Sequence, residues 1–253
     1  MISVQSVDGI AVVRLEHGKV NALDLELCQA IAETFRGIDA RAVVLTGAGP
    51  AFSAGVDLWR VLDGGAGYVS AFIPALVDAF AAVFTCDRPV VAAINGHAIA
   101  GGCVLAAACD YRIMAAGRIG IPEMLVGVPF PAAALDIVEH AFGHVEARRL
   151  AYTGELVSAD AALAQGLVDE TVAHDVLQER AVAHDALQER AVAHAARLAG
   201  SIPPPTFATT KRHLNSLPGP LPYDDEVVRL WQERVADGWI AAYMQRTVGR
   251  SST

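Results

Sequence analysis

The chain has 253 residues, 53% of them apolar and only 19% charged, with a formal charge of −9. That supports one large core, or a core with a small appendage, and an acidic chain without a basic run argues against a nucleic-acid partner. An anionic small molecule would need local cations such as Lys19, Arg60, Lys211 or Arg212. Cys28, Cys86, Cys103 and Cys109 form neither a CxxC nor a metal-ligand spacing with histidine, so buried reduced thiols, no metal and a cytoplasmic setting are expected. So little charged surface also hints that some of the surface is buried between subunits.

The opening "MISVQSVDGIAVVRL" lacks the basic start and apolar block of a signal peptide. Asp8-Gly9 between two β-prone runs predicts a hairpin. "ALDLELCQAIAETFRGI" has apolar residues at helical spacing and ends near Gly37. "ARAVVLTGAG" reads as a buried strand with a glycine turn, and "YVSAFIPALVDAFAAVFTC" as a helix despite Pro74. "RPVVAAING" is a second buried strand, followed by a helix over 102–109 and a third strand in "DYRIMAA". Residues 90–109 carry no charged side chain, but Asn95, Gly96, His97, Gly101 and Gly102 interrupt them where a spanning helix would be weakened, so no membrane insertion is expected. The recurring order of strand, glycine turn, helix and strand predicts an α/β fold with right-handed crossovers.

Within 174–193 a ten-residue unit is repeated almost perfectly, with His174, His184 and His194 in register. Ten helical residues make about 2.8 turns and rise about 15 Å, so no single face collects the three imidazoles. A solvated helix lengthened by duplication is expected, or a surface bulge that leaves any site intact. "SIPPPT" then makes a rigid break, and residues 206–253 read as a helical tail anchored by Leu230, Trp231, Trp239 and Tyr243.

Two glycine-containing turns follow buried strands: "GAGPAFSAGVDL" and "NGHAIAGG". Such turns let backbone N–H groups approach a ligand, and the second opens a helix whose first amides are unpaired. Facing each other they would form an oxyanion hole; each is equally compatible with close packing beside a helix. Glu123, directly after Pro122 in an apolar segment, either caps the next helix or is an acid whose pKa burial raises for proton transfer.

Together "AFSAGVDL", "INGHAIAGGCVLAAACDYRI" and "GIPEMLVGVP", with "HGKVNALDLEL" before them and "YTGELVSADAALAQGLVDETV" after, resemble the enoyl-CoA hydratase/isomerase (crotonase) family over most of residues 1–215. The resemblance implies a crotonase-like spiral of repeated ββα units over 1–200. It also implies a helical C-terminal oligomerisation region over 201–253 and a homotrimer or hexamer. The thioester oxygen of an acyl-CoA would lie between the backbone N–H groups of Val56 and Gly101. Coenzyme A would be held around Val20, Ala22 and Leu23, with Ala54, Asp57 and Leu58 beside the substrate and Lys211, with Arg212, near the phosphates. Leu58, Trp59, Phe72 and Phe130 would line the acyl tunnel or serve as plain core. No separate cofactor is implied, since coenzyme A is part of the substrate.

Family hydratases use two glutamates, at the positions of Val104 and Glu123 here. Valine cannot hold or activate water, which impairs ordinary hydration. The further acid of dienoyl isomerases falls on Pro131. The pattern resembles the Δ3-Δ2-enoyl-CoA isomerases, which shuttle one proton on one glutamate. The alternatives are a hydratase or another thioester reaction with a second group among Asp136, Glu139 and His140, and a non-catalytic acyl-CoA-binding protein.

Overall fold

The computed structural model describes residues 1–172, 180–216 and 225–247. The chain opens with β1 (Ile2–Val7) and β2 (Ile10–Leu15), an antiparallel hairpin in which Val7 faces Ile10. Asp8 at φ 52° and Gly9 at φ 77° make the turn, which needs two positive φ values and so favours Asp-Gly. α1 (Leu25–Gly37) follows, its first turn capped by Asp24, whose carboxylate accepts from Leu27 N.

Three circuits of a spiral come next. β3 (Ala42–Gly47), β4 (Ala51–Ser53) and α2 (Leu58–Phe84) form the first. β5 (Val90–Ile94), β6 (His97–Ile99) and α3 (Gly101–Ala107) form the second. β7 (Tyr111–Met114), β8 (Arg118–Gly120) and α4 (Glu123–Val126) form the third. In each circuit the first strand joins a six-stranded sheet, ordered β1-β2-β3-β5-β7-β10, and the second joins a four-stranded sheet, ordered β4-β6-β8-β9. The remaining elements are α5 (Ala132–Phe142), α6 (His144–Thr153), β9 (Val157–Ser158), α7 (Ala159–Ala164) and β10 (Glu170–Thr171). Helices α8 (Arg180–Ser201), α9 (Pro204–Leu214), α10 (Asp225–Ala236) and α11 (Trp239–Thr247) complete the chain. This is the expected α/β spiral of ββα units, with helices after it.

Strands β3, β5 and β7 pair in parallel and are covered on both faces, which is why Val43, Val44 and Leu45 of β3 and the whole of β5 read as apolar runs. Val43, Leu45, Val90 and Ala92 face the main core with α1, α2 and α3. Val44, Val91, Ala93 and Ile113 face the other way, against Leu187, Ala191 and Ala195 of α8. Residues 90–109 accordingly form two strands and a helix. α2 is the one helix among the described residues with the length and apolarity of a membrane span, and more than half of that window is buried in the fold. It begins ten residues earlier than the sequence suggested, because Asp57 accepts from Trp59 N and Arg60 N and starts the helix before the glycine-rich stretch. Gly65, at φ 62°, kinks it.

The solvated helix expected for the repeat is corrected. Leu187, Ala191 and Ala195 lie four residues apart on one face, and that face covers the large sheet. His184 Nε2 accepts from Arg14 at 2.9 Å, and Arg14 also donates to Gln188 at 2.5 Å. His194 is buried and stacks on Tyr111 at 3.7 Å. The two imidazoles serve different neighbours, as ten-residue spacing on a helix requires; His174 lies outside the described residues. All four cysteines are buried and free.

Removing one anchor tests this packing. Leu187→Ala is expected to cost about 2–5 kcal/mol, read from the urea midpoint. A change under about 0.5 kcal/mol would place the side chain off the sheet.

Candidate active site

Two backbone turns that follow buried strands press against each other. On the first, Leu23 N donates to Gly55 O at 2.7 Å and Asp57 N donates to Leu23 O at 2.9 Å. These two bonds make a parallel bridge between Leu23 and Val56, which directs Val56's own N–H away from Leu23. Ser53 supports the turn, its hydroxyl donating to Asn21 O at 2.7 Å and accepting from Gly55 N at 3.2 Å. Asn21 in turn donates to Ala48 O and Ala51 O, both at 3.0 Å, tying the 17–24 loop to β4.

On the second turn Ala100 adopts φ 56°, ψ −125°. A non-glycine residue held there stores about 1–3 kcal/mol of strain, and its N–H anchors it to Gly120 O at 2.8 Å. The following residue, Gly101, opens α3, where the first amides have no intrahelical acceptor. No acceptor among the described residues meets the N–H of Val56 or of Gly101. A Cβ added to Gly55 would lie 2.6 Å from Ala100 Cβ and 3.2 Å from Gly101 N. One on Gly102 would lie 2.2 Å from Ser53 O. Glycine is therefore enforced at both positions by backbone proximity. The two open amides sit on adjoining turns.

The candidate acid is Glu123. It is the first residue of α4, and Pro122, not Glu123, occupies the capping position. The residue is 7% exposed, and Oε2 is buried without a hydrogen-bond partner. Burial raises its pKa well above the usual glutamate value, against a smaller opposing pull from its own backbone N–H.

A cavity of about 360 Å³ joins these parts. Val20, Ala22, Ala54, Val56, Asp57 and Leu58 line it together with Ala100 and Glu123. Leu23 and Gly101, also expected at the ligand, are buried and do not line it, though their neighbours Ala22 and Ala100 do; a Cβ on Gly101 would lie 2.8 Å from Leu23 Cδ1.

Residues 5–215 match the enoyl-CoA hydratase/isomerase family. The chain is a member of that family. It is 33% identical over 189 residues to mouse mitochondrial enoyl-CoA delta isomerase 1, covering 72% of this chain and 65% of that one. It is 43% identical over 150 residues to a putative enoyl-CoA hydratase of Thermus thermophilus, covering 57% and 58%. The chain thus spans less than two thirds of these curated relatives. In structure it is similar to human mitochondrial delta3-delta2-enoyl-CoA isomerase, with TM-score 0.75, 26% identity and coverage of 99% and 94%.

In this hydratase/isomerase family member, several residues singled out in the sequence lie elsewhere. Lys211 is buried and donates to Asp110 at 2.7 Å and Arg88 O at 3.3 Å. It lines a separate cavity of about 310 Å³ with His140, so the structure does not bring it to the cavity of Glu123. An ammonium this buried requires a counter-charge, and Asp110, just past α3, provides it. Arg212 is exposed. Asp57 lines the cavity, but Oδ1 of its carboxylate caps α2 at 3.0 and 3.1 Å. Glu139 bonds His144 at 2.9 Å, His140 packs edge-on against Phe84, and neither these nor Asp136 lines the Glu123 cavity. Of the tunnel candidates, Leu58 and Trp59 line it, while Phe72 and Phe130 are core. Val104 is buried in the core on α3.

The sequence reading missed the far wall: Val126, Val128, Trp231, Tyr243, Met244 and Thr247. Trp231 and Tyr243 stood out only as anchors of the tail. In the structure α10 and α11 close over α2 and α4 of their own chain. Trp231 Nε1 donates to Pro129 O at 3.0 Å, and a Cβ on Gly127 would lie 2.3 Å from Trp239 Nε1. Ala100 left no trace in sequence, because alanine does not advertise a positive φ.

The raised pKa of Glu123 makes the folded state hold a proton that the unfolded chain releases in the ordinary glutamate range. Stability should therefore fall as pH rises between that range and the raised value. Thermal midpoints of the wild type and Glu123→Gln, followed across pH, are expected to diverge in that window, with the variant gaining. Parallel curves would mean the carboxyl is not desolvated.

Proposed function

We propose that the protein isomerises a 3-enoyl-CoA to the 2-enoyl-CoA by moving one proton on Glu123. The observation that carries this reading is that Glu123 is the carboxyl in the cavity left with a buried oxygen and no partner. The ionised carboxylate takes a proton from C2, and the electron pair of that C–H bond passes into the thioester as a dienolate. The N–H groups of Val56 and Gly101 hold the enolate oxygen, and such a donor is worth about 2.7–4 kcal/mol in a transition state. Glu123 then returns the proton at C4, the double bond comes to rest between C2 and C3, and no atom is gained or lost. Coenzyme A enters and leaves as part of the substrate.

A single acid suits a shuttle better than hydration. Hydration needs a second group to hold water, and the expected position is Val104, packed into the core. Asp136, Glu139 and His140 do not supply it from the cavity wall. Similarity to the mouse isomerase supports the same choice; similarity to the Thermus thermophilus hydratase makes direct comparison of the two reactions the decisive assay.

The test offers a trans-3-enoyl-CoA and the trans-2-enoyl-CoA of equal length, with products separated and weighed. Conversion of the 3-enoyl substrate without gain of water is expected, and Glu123→Gln should lose at least about a hundredfold. kcat/KM should rise with pH as Glu123 ionises in the free enzyme, with an apparent pKa above the usual glutamate range. Fast addition of water to the 2-enoyl substrate would establish a hydratase instead. Tight binding with neither reaction would establish a binding protein.

A further inference from the structure

Trp231 is 2% exposed, yet part of its ring forms the wall of the Glu123 cavity. The rest of the ring belongs to the main core. Its Nε1–H bond to Pro129 O, at 3.0 Å, ties the ring to the segment that follows α4. The next residue, Gln232, donates to Ser70 at 2.8 Å and to Ala66 O at 3.1 Å, clamping α10 to α2. Swinging the indole away would unpair a buried N–H and a carbonyl and open a void in close-packed core. The ring is a fixed wall.

The cavity is lined by Val20, Ala22 and Ala54 from the loops before α2, and by Val126, Val128, Trp231 and Met244 from α4, the segment after it, α10 and α11. At about 360 Å³, it sits near the lower end of the roughly 300–1,000 Å³ typical of ligand pockets. That space must also take the thioester and the reacting carbons. We propose that Trp231 is a specificity-determining stop that ends the acyl pocket and restricts the protein to short-chain acyl thioesters. This rests on the acyl-thioester reading above.

The test measures binding of saturated butanoyl-, hexanoyl- and decanoyl-CoA by calorimetry, and kcat/KM for six- and twelve-carbon 3-enoyl-CoAs. It compares the wild type with Trp231→Leu and Trp231→Phe. The wild type is expected to favour the short thioesters by at least about tenfold, the scale on which an apolar pocket discriminates chain length. Trp231→Leu should erase or reverse that ratio, while Trp231→Phe, which keeps a ring and loses the N–H, should retain it. Equal wild-type affinity for butanoyl- and decanoyl-CoA would overturn the proposal even if no variant folds. So would a folded Trp231→Leu protein with an unchanged ratio. Saturated thioesters bind without turnover, so a chain-length step with no 3-enoyl conversion would remove the isomerase and leave the stop standing. No binding of any acyl-CoA would remove both.

Discussion

Everything in the site depends on how closely two stretches of main chain approach at Gly55 and Ala100–Gly101. A single methyl group on Gly55 would sit 2.6 Å from Ala100 Cβ, a distance side-chain carbons do not tolerate. That proximity explains why small residues follow the small-sheet strands of the first two circuits, Ala54-Gly55 after β4 and Ala100-Gly101-Gly102 after β6. It also explains why Ala100 is held at φ 56°: relaxing it would turn the following peptide and carry the Gly101 N–H away from that of Val56. Strain at one residue is balanced by the parallel pairing of β4 with β6 and of β6 with β8.

Glu123 is the complementary cost. A carboxyl with a buried oxygen that meets no donor destabilises its surroundings unless it stays protonated. The fold keeps it in place from behind and above: β8 delivers it, and Trp231 and Trp239 pack on the segment that follows it. The C-terminal helices therefore belong to the site. The rigidity of the acid and part of the cavity's apolar wall have a common source in α10 and α11.

Much of the spiral was legible because its signals are local. Asp8-Gly9 names its turn through backbone sterics, and the strands at 42–47 and 90–94 announce burial on both faces by apolar runs. The two glycine turns and Glu123 were visible because glycine and an isolated acid are unusual where they stand. What stayed hidden depends on partners distant in sequence. Lys211 looks like a free cation beside Arg212, and only the fold shows it spent on Asp110. His140 sits seventeen residues after Glu123 and turns into a different cavity, because α5 sends that face toward Phe84. The repeat gave its helical period but not its burial, since alanine at 191 and 195 is apolar enough for a core and small enough for a surface.

The buried oxygen of Glu123 bears on the fate of an isotope. In the proposed shuttle, a carboxyl with one oxygen closed to water, in a pocket filled by its own substrate, would exchange its hydrogen slowly with the solvent. A deuteron lifted from one carbon of a bound thioester would then stay on the acid until it is delivered to another carbon of that same molecule. The acid would be a carrier with memory, and the extent of that memory would measure how completely water is shut out.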